Sequence, residues 1–297
     1  MRLTRVEIAT AVLGQLHGPD GAVTHVSIDS RASSLDSLFV AIVGERDGHD
    51  FIDAARSAGA TTWLTSRNDV RHGAIAVDDT QRALTMLASY ARGKTTDRVI
   101  GVTGSTGKTS TKDLLAAILG CKGPATASDK SFNNELGVPL TLLNGPDHAW
   151  ATVIEMGARR RGHVAALCEI ARPSVGVITN IGSAHLGEFG SVGAIAEAKG
   201  ELIEALPSTG VAVLNRDDAH FAALAARGRA SVLAFGEHTT ADVRANDVRL
   251  DRDLQPSFVL QSPWGAAQVV VAARGRHQVG NLVLGEEVGE VHIVAAG

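Results

Sequence analysis

Few cysteines, few aromatics and no long apolar run mark this 297-residue sequence. Its two cysteines, Cys121 and Cys168, form neither a CxxC pair nor a Cys/His metal spacing, which excludes a disulfide framework and a zinc ribbon and fits a reducing compartment. Aromatics make up 4% of the chain, too few for the stacking platforms that hold single-stranded nucleic acid. An excess of one charge is also missing. Lys and Arg number 28 against 32 Asp and Glu, a net charge of −4 with no long run of either sign, and a broad nucleic-acid footprint is excluded. No stretch nears the roughly 18 apolar residues of a membrane span. The opening MRLTRVEIATAVLG lacks the apolar core of a secretory signal and carries instead a capping box, Thr4 with Glu7. The reading is a cytoplasmic protein without membrane or nucleic-acid partners. What is present is globular content, 44% hydrophobic, with 32 glycines suited to tight turns and close backbone approach.

Length suggests two domains. Residues 1–95 alternate short β-rich runs (HVSIDS, SLFVAI, TTWLT, AIAV) with helical stretches near Ile52 to Ala58 and Gln81 to Arg92, and ARGKTTD reads as a linker. Over 96–297 the strands change character. RVIGVT, ATVIE, SVGVIT, VAVLN and SVLAF are continuous apolar runs, the pattern of strands buried on both faces of a parallel sheet. Helical segments separate them at Ser110 to Leu119, His163 to Ala171, Val192 to Leu206 and His220 to Ala226, which predicts an α/β sheet with right-handed crossovers. From about Ala241 the pattern becomes a β-meander with a turn at Pro263 to Gly265.

The sharpest chemical signal is GVTGSTGKTSTKDLLAAIL, Gly101 to Leu119. A strand runs into Gly104, Ser105, Thr106, Gly107, Lys108, Thr109 and Ser110 and then directly into a helix. Glycines let backbone amides turn toward phosphate oxygens, the helix N-terminus adds partial positive charge, Lys108 reaches the β/γ-phosphates of ATP, and Thr109 can ligate Mg²⁺. Val102 stands where the standard loop has glycine, so this is a variant. Glu155 ends a buried strand, where a carboxylate near a triphosphate suits Mg²⁺. On residue type alone Lys199 is a solvated helix lysine, Glu201 a surface residue, Arg31 a surface charge, and Asn215, Asp217 and Asp218 are loop caps.

The loop together with SFNNELGVPLTLL, EMGARRRGHVAALCEIARPSVGVITNIGSAHLGEFGS and IAEAKGELIEAL resembles the Mur ligase family of ATP-dependent amide-forming enzymes. Met156-Gly157-Ala158 after Glu155 favours the branch that joins D-alanyl-D-alanine to UDP-N-acetylmuramoyl-tripeptide. The resemblance implies a small N-terminal α/β UDP-binding domain and a central P-loop-type ATPase domain, mostly parallel with a β-rich end. It also implies that Lys108, Glu155, His185 and Lys199 are catalytic. Thr109, Glu155, His185 and a carbamylated Lys199 are the expected metal ligands, and Asn281 in GRHQVGN an adenine contact. Ser30, Arg31 and the Gly48-His49-Asp50 turn are expected on the UDP moiety, with Asn133 and Asn134 near the growing peptide.

After Asn281 the pattern departs from the family. LVLGEEVGEVHIVAAG is a poor helix, and the third, Rossmann-like domain that the resemblance implies is expected to be missing. The chain is therefore expected to be impaired alone, with a separate chain as one source of the missing domain. The alternative is a non-catalytic nucleotide or UDP-sugar binding remnant. A folate-type ligase would lack the DSR and DGHDFI segments.

Overall fold

The computed structural model describes residues 2–95, 98–129, 132–184, 186–272, 274–276, 279–280 and 283. Two compact units form, Met1–Thr96 with Glu135–His148, and Asp97–Asn134 with Ala149–Gly297.

In the first unit β1 (Leu3–Thr4) leads into α1 (Arg5–Ala11), and the Thr4 and Glu7 side chains each accept the other's amide, so the capping box forms. Then come β2 (Gln15–Leu16), β3 (Ala22–Val23), β4 (His25–Ser27), β5 (Ser37–Val40), α2 (Ile52–Ser57), β6 (Ala60–Thr65), β7 (Ala74–Ala76) and α3 (Thr80–Gly93). The main sheet has the order β2-β7-β6-β5-β4, parallel from β4 to β7 with β2 antiparallel. The Asp79 carboxylate caps α3 by accepting the Gln81 and Arg82 amides, and Ala83, Leu84, Leu87, Ala88 and Ala91 form its buried stripe. Because that stripe continues to Ala91, the helix takes in the first three residues of the expected linker ARGKTTD.

The second unit begins with β8 (Arg98–Thr103), α4 (Lys108–Gly120) and β9 (Ala125–Ala127). Next in the chain is α5 (Gly137–Asn144), which packs in the first unit. There the Asn144 amide donates to the Val26 carbonyl and accepts the Val26 N–H, both at 2.8 Å, and so pairs the open edge of β4 as a strand would. The second unit resumes with β10 (Ala151–Glu155), α6 (His163–Ala171), β11 (Val175–Ile178), α7 (Leu186–Phe189), α8 (Val192–Glu204), β12 (Val211–Asn215), α9 (Phe221–Ala225), β13 (Ser231–Gly236), β14 (Val243–Leu250), β15 (Pro256–Ser262) and β16 (Gly265–Val270).

Its sheet runs β16-β15-β14-β13-β12-β11-β8-β10-β9, with parallel pairing from β9 to β14 and an antiparallel meander at the far end. The strands are apolar throughout because both faces are covered: Ile100, Val102, Val153, Val177 and Val213 share one core with Leu115 and Leu119 of α4. Central β8 lies between β10 and β11, which follow it in the chain on opposite sides. The carboxyl ends of these three strands therefore open on a crevice where the strand order reverses, the place where α/β sheets bind ligands. Among the described residues no helix is long and apolar enough to cross a membrane.

Candidate functional site

At the end of β8 the backbone turns at Gly104, with φ +152°, and reaches α4 through Gly107, with φ +81°, which caps the helix without any side-chain bond. The amides of the first helical turn have no acceptor within the helix, and a helix N-terminus of this kind can receive phosphate oxygens. A Cβ on residue 104 would lie 1.9 Å from Thr179 Oγ1, so only glycine fits.

The loop is fastened by residues just beyond the end of β11, to which the motifs above assign no role. Thr179 Oγ1 donates to the Thr106 carbonyl at 2.6 Å. Asn180 accepts the Thr106 amide at 3.1 Å and donates to Thr106 Oγ1 at 2.9 Å, while its backbone carbonyl accepts the Ser105 N–H. Ser105 Oγ in turn accepts the Gly182 amide at 2.8 Å. A signal for this was present in TNIGS directly after an apolar strand, where Thr and Asn supply short side-chain hydrogen bonds.

Two ammonium groups meet at one backbone oxygen. Lys108 Nζ donates to the Gly104 carbonyl at 2.8 Å, and Lys199 Nζ donates to the same oxygen at 2.9 Å. Lys199 is 2% exposed, so the structure corrects the solvated-helix reading that residue type alone gave it. Burial, with the Lys108 charge in support, pushes the Lys199 amine down to about 8. Burial also lowers Lys108, opposed by the charge of Glu155.

Glu155, 1% exposed at the end of β10, accepts the Thr109 hydroxyl at 2.9 Å on one carboxylate oxygen and the Asn133 amide at 2.8 Å on the other. Asn133 thus holds the site carboxylate, and its carbonyl accepts the Gly157 amide. Asn134, half-buried, ends the same loop, and Ser110 lies exposed in the first turn of α4. Among the described residues no group of three His, Cys, Asp or Glu side chains is placed to hold a metal. The adjoining oxygens of Thr109 and Glu155 nevertheless suit Mg²⁺, which binds through one or two carboxylates and completes its shell with water and substrate phosphates. ATP and Mg²⁺ therefore fit the residues present. His185 and Asn281 lie outside the described residues.

In the first unit Ser30 opens a short 3-10 turn, and Arg31 makes a two-point pair with Asp29 that holds this carboxyl at about 2, while its side chain stays 88% exposed. His49 is buried. Its Nδ1 lies 2.6 Å from Asp47 and its Nε2 accepts the Ser66 amide, so the ring has no nitrogen left for a ligand. Glu201 is not a free surface residue, because its carboxylate accepts the Gly162 and Ala165 amides and caps α6. Asp217 and Asp218 are loop caps: they accept the Glu237, His238, Ile181 and His220 amides.

A mostly parallel sheet with a glycine loop entering a helix at Lys108, and a strand-end carboxylate beside it, defines a P-loop-type α/β protein. Residues 102–286 match the Mur ligase middle domain and residues 22–92 match the Mur ligase family catalytic domain, and the chain belongs to the Mur ligase family. It is 41% identical over 280 residues to the UDP-N-acetylmuramoyl-tripeptide--D-alanyl-D-alanine ligase of Mycobacterium bovis, a match covering 86% of this chain and 55% of that protein. Crystallographic MurF from Acinetobacter baumannii superposes with a TM-score of 0.89 at 30% identity, over 98% of this chain and 65% of that one. The MurF ligase from Thermotoga maritima in complex with ADP superposes at 0.80 with 31% identity, over 91% of this chain and 63% of that one. The chain thus spans 55% to 65% of the length of these relatives.

Proposed function

We propose that this protein binds Mg·ATP on its second unit and the UDP moiety of UDP-N-acetylmuramoyl-tripeptide on its first, for the joining of D-alanyl-D-alanine to that tripeptide. The observation that carries the reading is the convergence of Lys108 and Lys199 on the Gly104 carbonyl beside the Thr109–Glu155 pair. It is supported by the 41% identity to the ligase of that name. Lys108 and the first-turn amides hold the β/γ-phosphate oxygens. Thr109 and Glu155, joined by His185 and a carbamylated Lys199, hold Mg²⁺, which when bound neutralises charge on the phosphoryl group. Asn281 is assigned to adenine, Ser30 and Arg31 to UDP, and Asn134 to the peptide end. A tripeptide carboxylate oxygen attacks the γ-phosphorus and ADP leaves. The amine of D-alanyl-D-alanine then attacks the acyl carbon, phosphate leaves with the C–O electron pair, and the amine gives its proton to a base. The two free cysteines fit a reducing compartment, and the reaction is assigned to the cytoplasm.

Incubating the chain with Mg·ATP should yield ADP only when UDP-N-acetylmuramoyl-tripeptide is added. ATP binding with no tripeptide-dependent ADP would favour the alternative, a nucleotide-binding module.

Carbamylation of Lys199 is carried over from the family resemblance, and the burial of this amine beside Lys108, which lowers it to about 8, is compatible with it, since a neutral fraction near pH 7 can add CO₂ and release a proton. The product would replace one of two like charges at the Gly104 carbonyl by an anion. Removing bicarbonate should weaken Mg²⁺-dependent ATP binding and adding it back should restore it. In ¹³C-bicarbonate, wild type should show a carbamate resonance that Lys199→Ala lacks; identical spectra would remove the assignment.

A further inference from the structure

Lys112 is 3% exposed and takes no part in the chemistry above. An ammonium in the interior needs partners to offset its lost hydration. One is the Asp113 carboxylate at 2.5 Å, on a side chain that is 64% exposed. The other is the backbone carbonyl of Ser128 at 2.8 Å.

Ser128 is itself 2% exposed and stands one residue beyond β9. The β9–β10 ladder ends at the Ala127–Val153 pair. Ser128 extends it with both its backbone and its side chain, for its N–H donates to the Val153 carbonyl at 3.0 Å and its Oγ accepts the Glu155 N–H at 3.1 Å. On the other edge of β10, Glu155 is in register with Val102 of β8. Thr109 and Lys112 are three residues apart and share a face of α4. One helix therefore reaches Glu155 twice, directly at the carboxylate through Thr109 and indirectly at the backbone through Lys112 and Ser128.

We infer that Lys112 and Ser128 are positioning residues that fix the backbone of Glu155, and through it the carboxylate offered to the divalent cation of Mg·ATP; the inference rests on the nucleotide reading of this site. Partners of this kind, one step removed from a metal ligand, typically change metal affinity about 10- to 100-fold when lost.

The test compares wild type with Lys112→Met, which keeps the apolar stem, Ser128→Ala, which deletes the acceptor, Ser128→Thr, which keeps it, and Asp113→Ala. Amide hydrogen exchange at Glu155 is measured in the free protein, and ATP binding is measured calorimetrically with Mg²⁺ and with EDTA. Lys112→Met and Ser128→Ala should speed Glu155 exchange about tenfold relative to Ile154. Both should weaken Mg·ATP about 10- to 100-fold while metal-free ATP stays within about twofold. Ser128→Thr should match wild type in both measurements, and Asp113→Ala, which removes one of the two partners of Lys112 but leaves its bond to the Ser128 carbonyl, should fall between wild type and Lys112→Met. If Lys112→Met does not fold, Ser128→Ala against Ser128→Thr decides. Unchanged Glu155 exchange, or equal loss of affinity with and without Mg²⁺, overturns the positioning role while wild-type binding upholds the site. Wild type that binds no Mg·ATP refutes the nucleotide reading and this inference with it.

Discussion

Lys108→Ala should remove most of the calorimetric heat of Mg·ATP binding while leaving the protein folded. The substitution deletes the charge aimed into the loop and its 2.8 Å bond to the Gly104 carbonyl, but the glycine turns and the Thr179 and Asn180 bonds to Thr106 remain. A hydrogen bond to a charged group contributes about 1.5–3 kcal/mol, so the Kd should rise about 10- to 150-fold. The neighbouring amine gives a second readout. Part of the depression of Lys199 comes from the Lys108 charge, so in the variant, measured without bicarbonate so that the amine is unmodified, Lys199 should titrate above about 8. Indistinguishable titrations of wild type and variant would show that the phosphates bind elsewhere.

Gly104→Ala should be far more damaging than its single methyl suggests. The new Cβ would lie 1.9 Å from Thr179 Oγ1, and Thr179 is no flexible tip that can swing aside. It is 5% exposed, its hydroxyl is bonded to the Thr106 carbonyl, and its amide is bonded to the Thr103 carbonyl. The backbone at φ +152° adds strain for any residue with a side chain. Overpacking with such strain costs about 2–4 kcal/mol, which for a unit of this size lowers Tm by roughly 5–15 °C. Gly120→Ala, at the end of α4 where a Cβ meets nothing within 4 Å, should stay within about 0.5 kcal/mol of wild type. Thr179→Ala combined with Gly104→Ala should recover part of the loss, because it removes the nearest colliding atom. Equal melting temperatures for Gly104→Ala and Gly120→Ala would show that the loop does not need glycine there.

Much of the second unit was readable along the chain because its signals are local. The five apolar runs became β8, β10, β11, β12 and β13, and the expected helices at Ser110, His163 and Val192 became α4, α6 and α8. Short β9 was not readable: Ala125–Ala127 has no apolar run and is a strand only because β10 supplies its parallel partner. The segment 135–148 falls inside the expected 96–297 domain, but in the structure its helix α5 lies in the first unit. No composition change marks that excursion, since a helix that buries Val138, Leu140 and Leu143 has the same pattern whichever core receives it.

The sequence by itself determined the glycine loop, most of the order of strands and helices, Lys108 at the start of a helix and Glu155 at the end of a buried strand, for these depend on side-chain period, glycine spacing and neighbours within a few residues. Only the tertiary structure decided which distant groups complete the site. Asn180 reaches Thr106 across 74 residues, Asn133 reaches Glu155 across 22, and Lys199 reaches Gly104 across 95. The physical reason is the parallel sheet itself. Each crossover returns the next strand in the same direction, so the carboxyl ends of β8, β10 and β11 lie side by side however long the chain between them. What a side chain meets at that edge follows from strand order, a property of the packed sheet.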